Sequence, residues 1–276
     1  ILAEPVGSCT DLVATIAIPM MEQLGEKFVH SPYAVVLKPS HGAKILSGEG
    51  KRGFSEKAEY IFRKQLEEAE LILINRVDEL EDSQQESLRR NVEEQYPGRP
   101  VLFISAKTGQ NVDSLYDALA ATSSPRGEFM TVDYDVYAEG EAELGWLNAT
   151  VALSTETGLP IDSVAMQIVD TVRERLISID AEPAHLKVLC SGADSVAVAN
   201  LVSSDTPTML SVSSGASGKH LSVIVNARVC LDPESLKKTV TDSIADLASK
   251  LGVAAEIESM ESFRPGRPVP TYRAGN

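Results

Sequence analysis

The chain has 276 residues, 43% apolar and 24% charged, the profile of a folded protein with room for one large or two ordinary cores. Its formal net charge of −15 repels phosphate backbones and anionic lipid, which argues against nucleic acid or a membrane surface as a partner. No apolar run is long enough to span a bilayer, and the three cysteines, Cys9, Cys190 and Cys230, lie far apart with no CxxC pair, which fits a reducing, cytoplasmic setting.

The chain opens on Ile1, and Ile1–Ala3 reads as the end of a strand, so further sequence is expected upstream. Thr10 or Asp11 caps a helix running to about Gly25. Tyr33–Leu37 is a buried strand. Ser55–Glu70 is helical, because Ala58, Ile61, Phe62 and Leu66 recur at helical spacing. Leu71–Ile74 is a second buried strand, Asp82 caps a helix to about Gln95, Pro100–Ser105 is a third strand, and Asn111 or Asp113 starts a helix through Leu119. Continuous apolar strands alternating with amphipathic helices predict an α/β domain over 1–122, a parallel sheet covered by helices on both faces.

The polar, Pro/Gly-containing stretch Ala121–Glu128 places a linker at 123–130. In a second domain, 131–262, Trp146–Ser154, His185–Cys190, Ser195–Val202 and Leu221–Val229 read as strands, with a last strand over 253–261. Ile161–Ile179 and Pro233–Leu251 read as helices; Pro233 suits a first helical turn, where its missing N–H is not needed. The β-α-β, β-α-β order, with room for an extra hairpin, predicts a ferredoxin-like α+β domain. Residues 263–276, with FRPGRPVPTYR at Phe263–Arg273, form an extended tail, too rich in proline for a helix or central strand.

Three short motifs fall at strand ends of the first domain, the edge where parallel sheets bind ligands. In the first, Glu4 follows an apolar run and Gly7 comes three residues later. Glu4 suits the orientation of a magnesium-bound or attacking water, and Gly7 lets a backbone N–H approach a terminal phosphate. Taken alone, Glu4 as a turn cap and Gly7 as a bend is the simpler reading. In the second, Asn75-Arg76-Val77-Asp78 follows Leu71–Ile74. A buried Asp78 carboxylate can accept both N1–H and the exocyclic amine of guanine, a donor pair that adenine lacks. Asn75 braces the loop and meets the purine edge, and the Arg76 stem covers the base face. An ordinary Asx turn is the competing account. In the third, Ser105-Ala106-Lys107, the Ala106 N–H suits guanine O6 and the Lys107 stem covers the base; an ordinary strand-to-loop turn competes. Together the three point to one nucleotide on one rim, with Glu4, Asp78 and Ala106 converging.

Other fragments carry less. Gly48–Gly53 fits GxGxxG without a strand running into it, and Gly50-Lys51 and Gly218-Lys219 lack the rest of a phosphate loop. His30, His41, His185 and His220 read as structural or solvated, His220 in a turn between strands. The acidic run Glu139–Glu143 reads as a solvated face.

These motifs resemble the GTPase family that includes CobW, UreG and HypB, with the CobW-like, cobalamin-biosynthesis-type branch nearest. Ile1–Gly7 matches its hhhExxG segment. Asn75, Arg76 and Asp78 match NKxD with Arg in place of Lys, Ser105-Ala106-Lys107 matches the SAK loop, and Glu4–Leu12 and the second half are similar to one subgroup. The resemblance implies a P-loop NTPase-type sheet that is incomplete here, lacking the GxxxxGK[ST] loop and roughly 100 upstream residues, about half a domain. It implies GTP and Mg as ligands, with Glu4 and Gly7 at the catalytic end and Glu4 meeting the metal directly or through water. Asn75, Arg76, Asp78, Ser105, Ala106 and Lys107 would hold the base. It also implies a cytoplasmic GTPase that acts as a metallochaperone or metallocofactor-insertion switch on a client metalloprotein or cofactor enzyme, and leaves a homo-oligomer open. The alternative is a non-catalytic module that binds a client protein and carries a relic nucleotide domain. On either account these 276 residues alone are expected to be inactive as a GTPase.

Overall fold

A computed structural model of the chain describes residues 3–5, 7–47, 55–121, 130–204 and 206–275. Ile1 and Leu2 of the strand expected at Ile1–Ala3, the glycine-rich Gly48–Gly53 and most of the linker stretch lie outside the described residues. Two compact units form, Ile1–Gly140 with Arg267–Asn276, and Glu141–Gly266. The division therefore falls later than the linker expected at 123–130, and the chain from Arg267 onward belongs with the first unit. Among the described residues no helix is long and apolar enough to cross a membrane.

In the first unit, a π-helical turn, Val13–Ala17, runs into α1, Ile18–Leu24. Neither Thr10 nor Asp11 caps it. Instead the Glu68 carboxylate, which closes a later helix, accepts the Val13 N–H at 2.7 Å. There follow β1 (Ala34–Leu37), α2 (Pro39–Leu46), α3 (Glu56–Glu68), β2 (Leu71–Ile74), α4 (Asp82–Gln95), β3 (Val101–Phe103), α5 (Val112–Ala120) and α6 (Tyr134–Glu141). Ser55 caps α3 by accepting the Ala58 N–H. The N-cap of α4 is Glu81, one residue ahead of the expected Asp82, paired with Gln84 in a capping box.

β1, β2 and β3 make a parallel sheet in that order, with Leu37, Ile74 and Phe103 in register at its carboxyl edge. Alternate residues share a face, so Leu37, Ile72, Ile74 and Phe103 point one way. There they meet Ile45 and Leu46 of α2, Leu66 of α3, and Leu88 and Val92 of α4. On the opposite face Leu71 and Leu73 are buried, but Val36 is 61% exposed. Helices therefore do not cover both faces along all of β1, contrary to expectation.

The second unit is β4 (Gly145–Pro160), α7 (Ile161–Ser178), β5 (Pro183–Ser191), β6 (Val196–Leu201), β7 (Met209–Val212), β8 (Ser217–Val229), α8 (Pro233–Leu251) and β9 (Ala254–Phe263). Its antiparallel sheet has the order β7-β6-β5-β8-β4-β9. His220 lies within β8, opposite Ser154, and not in a turn. The helices are amphipathic at a period of three to four residues. Val164, Ile168, Val172 and Leu176 of α7, with Leu236, Val240, Ile244 and Leu247 of α8, bury against Leu147, Val151, Leu186, Val188, Val223 and Val225 of the sheet. Asp232 caps α8 ahead of Pro233, and Gly252, at φ 65°, ends it in the left-handed conformation that glycine adopts without strain.

Candidate functional site

Two loops meet where β2 and β3 end. The chain leaving β2 is held from both sides: Asn75 N–H donates to Leu37 O and Val77 N–H to Ile104 O, each at 3.2 Å. Asn75 Oδ1 accepts the Arg76 N–H at 2.8 Å, and Arg76 turns through φ 68°, a left-handed position uncommon for a side chain of its kind. A single 3₁₀ turn, Val77–Glu79, then presents Asp78.

The chain leaving β3 folds back on itself. Ser105 N–H donates to Gln110 O, Gly109 N–H to Ser105 O, and the Asn111 side chain to Phe103 O. Gly109, at φ 83°, makes that return possible. Ser105 is fully buried; its Oγ donates to Asp78 Oδ1 at 2.6 Å and accepts the Thr108 N–H at 3.1 Å. Ala106 N–H donates to Asn75 Oδ1 at 3.0 Å. The loops are thus joined by two direct bonds, Ser105 to Asp78 and Ala106 to Asn75.

The Asp78 carboxylate is exposed, where a buried one was expected. The Ser105 hydroxyl holds its carboxyl below the usual range against an opposing desolvation, helped to a lesser degree by its own backbone N–H and the nearby charges of Lys107 and Arg76. It is therefore an oriented anion with one oxygen already braced, suited to a ligand that presents two adjacent N–H donors. Two side chains depart from their expected roles. The Ala106 N–H is directed at Asn75, so a guanine O6 would have to share it. The Arg76 guanidinium turns to Glu79, with bonds of 3.0 and 2.6 Å, rather than standing clear to cover a base.

Glu4 and Gly7 belong to different surroundings. Gln65, near the end of α3 and so beside the start of β2, donates to Gly7 O at 2.8 Å and Cys9 O at 2.9 Å. Glu70, just ahead of β2, accepts the Tyr33 N–H just ahead of β1. The Gly7–Val13 segment is thus tied to the end of the sheet where strands begin, while Asn75, Asp78 and Ser105 sit where strands finish. Glu4 is exposed and within about 10 Å of Gly7 by chain length alone. The expected convergence of Glu4, Asp78 and Ala106 is not seen. Among the described residues no group of three or more His, Cys, Asp or Glu could hold a metal ion.

A second polar cluster escaped the sequence reading altogether. Asp11, 1% exposed, accepts hydrogen bonds from Tyr134 Oη at 2.5 Å and Arg273 Nε at 2.8 Å. Close by, burial pushes the Glu68 carboxyl up to about 7. These partners lie up to 262 positions apart, and no local pattern announces them.

No protein-family model matches the sequence, and no curated protein matches it. Among solved structures, the Zn(II)-bound YjiA GTPase from E. coli is similar at 14% identity, covering 83% of this chain and 67% of its own, with a TM-score of 0.28. A triple mutant of the same GTPase gives the same identity and coverage at a TM-score of 0.27. So loose a likeness assigns no residue a role.

Proposed function

We propose that Asn75, Asp78 and the Ser105–Lys107 loop form the base-recognising part of a guanine-nucleotide site. The observation that carries this reading is the pair of bonds joining the loops, Ser105 to Asp78 and Ala106 to Asn75. They set a charged carboxylate and a backbone N–H side by side at the carboxyl edge of a parallel sheet. A guanine would give its N1–H and amine to Asp78 and its O6 to the Ala106 N–H, with Arg76 and Lys107 contributing positive charge nearby. Adenine offers Asp78 no paired donors.

We further read the first unit as part of a P-loop NTPase-type sheet and the second as a ferredoxin-like sandwich extended by the β6–β7 hairpin, as in a cytoplasmic CobW-type GTPase. Support for the second assignment is the strand order β9-β4-β8-β5, which a β-α-β, β-α-β chain produces. Magnesium-dependent GTP hydrolysis and delivery of a metal or metallocofactor to a client rest on the resemblance of the motifs. Hydrolysis calls for a phosphate loop of the form GxxxxGK[ST], which these 276 residues do not contain. With Glu4 and Gly7 away from the base loops as well, the chain itself is read as binding guanine nucleotide without turning it over.

Equilibrium binding of GDP, ADP and xanthosine diphosphate to the wild type and to Asp78→Asn tests the reading. The wild type should prefer GDP. Asp78→Asn places an amide donor against the guanine amine and should shift preference toward xanthine, which carries a carbonyl oxygen at that position. Equal binding of GDP and ADP, or a preference unmoved by Asp78→Asn, would sink it.

A further inference from the structure

β1 and β2 end side by side at Leu37 and Ile74. The residues that leave them, Lys38 and Asn75–Arg76, begin loops on one edge of the sheet. Between Lys38, α2 and the first half of α4 lies a cavity of about 490 Å³, with Lys38, Ser40, Arg76, Glu79, Ser83 and Ser87 among its walls. Its position outside the carboxyl ends of parallel strands is where such sheets hold ligands, and its volume is that of a small-molecule site. Asp78, Ser105 and Ala106 take no part in the lining. The loop from Asn75 to Leu80 separates the two places, turning Asp78 toward the β3 loop and Arg76 and Glu79 toward the cavity.

The lining indicates what the cavity takes. Two cations, Lys38 and Arg76, line it with one carboxylate, Glu79, and four serines, Ser40, Ser47, Ser83 and Ser87, in a chain whose net charge is −15. Guanidinium, ammonium and hydroxyl groups converging in one concavity match the oxygens of a phosphoryl group. α2 also opens here, with Pro39 as its first residue and no side-chain cap, so the positive end of the helix adds to the same field. We propose that this cavity binds a phosphoryl group, supplied by the phosphates of the nucleotide whose base lies at Asn75 and Asp78, or by a free phosphate anion. The first source rests on the guanine reading above; the second does not. Glu79 is the internal competitor: its carboxylate holds the Arg76 guanidinium, and an arriving phosphoryl oxygen takes its place there.

Calorimetric titration of the 276-residue chain with guanosine, GDP and pyrophosphate tests this, using the wild type, Lys38→Gln and Glu79→Gln, each shown by circular dichroism to be folded. GDP should bind more tightly than guanosine. Lys38→Gln should weaken GDP by about fivefold, the effect of one partly exposed charge contact, and leave guanosine unchanged. Glu79→Gln, which releases Arg76 from its carboxylate, should tighten GDP by a similar factor. If GDP and guanosine bind alike while pyrophosphate follows the same variant pattern, the cavity stands with a free anion as its occupant. If neither variant changes the affinity for GDP or for pyrophosphate, the proposal is overturned. Guanosine reports the base loops alone, so its binding or failure to bind separates the fate of the guanine reading from that of the cavity.

Discussion

The Ser105 hydroxyl carries two bonds at once, donating to Asp78 and accepting the Thr108 N–H. Ser105→Ala leaves that N–H without its protein acceptor, which costs about 1 kcal/mol at a partly buried position, and it also releases Asp78. Because the Ser105 bond is the main influence holding the Asp78 carboxyl low, the variant should bind GDP more weakly. Its affinity should begin to fall at a higher pH on acidification than that of the wild type. Superimposable GDP affinity–pH curves would show that Ser105 does not tune Asp78. Glu68 poses the opposite problem. Burial, with a smaller push from Asp11, raises its carboxyl from the ordinary 4.5 to about 7, although backbone N–H groups led by Val13 favour the charged form. The folded chain therefore keeps a proton that the unfolded chain releases. That contribution to stability is complete below the ordinary value and is lost as pH rises through about 7, with a ceiling of about 3 kcal/mol. Glu68→Gln keeps an oxygen acceptor for Val13 and removes the charge. It should flatten the pH dependence across this window and raise the urea midpoint on its alkaline side. Lower stability on both sides of the window would mean that the negative charge itself is what holds Val13.

At the scale of elements, the chain from Arg267 to Ala274 is fastened to the first unit at its two ends. Arg267 pairs with Asp135 at 2.6 Å; Arg273 pairs with the buried Asp11 and also donates to Met130 O, and Ala274 N–H donates to Ala14 O. Between these ends Val269 and Tyr272 are exposed. Arg273→Met would strand the Asp11 carboxylate in a buried site with Tyr134 as its remaining donor, and such an orphaned charge typically costs about 3–5 kcal/mol. Asp11→Asn combined with Arg273→Met should recover part of that loss. Urea midpoints of the single and double variants check this, and additive losses would show that the two residues do not act as a pair. The same elements show what could be read from sequence. Leu71–Ile74 is apolar at every position and was legible as a buried strand. Likewise, the spacing of Val164, Ile168, Val172 and Leu176 could only be a helix face. α2 was not legible: it is eight residues long and contains Gly42, which is there for packing, since a Cβ would meet Leu37 and Leu88 at 3.0 Å. β7 is exposed along its whole length, so its existence depends on pairing with β6 rather than on its own pattern. The placing of Asn75, Asp78, Ser105 and Ala106 at one sheet edge was legible because each stands within four residues of a strand end. The placing of Gly7 was not, because it depends on Gln65, 58 positions away.

For the whole molecule, the question is whether each compact unit carries enough core to fold unaided. The second unit meets that requirement on inspection of its packing. Every residue of its apolar cluster, from Leu147 to Leu247, comes from within the unit, and both helices bury a full stripe against one face of a six-stranded sheet. Caps are internal too: Asp232 and Gly252 close α8, and Asp162 in the first turn of α7 accepts bonds from Ser213 and Ser214 ahead of β8. A domain of this size with a continuous core and closed helix ends is expected to fold on its own. Trp146, the single tryptophan, reports on that unit alone; it sits on β4 with the Arg228 guanidinium 4.1 Å above its ring and Phe263 6.0 Å away. Residues 141–266 produced by themselves should therefore unfold in one cooperative thermal transition, followed equally by Trp146 fluorescence and by circular dichroism. A transition in which fluorescence is lost well before secondary structure would show instead that this sheet keeps its fixed packing only when the rest of the chain is attached.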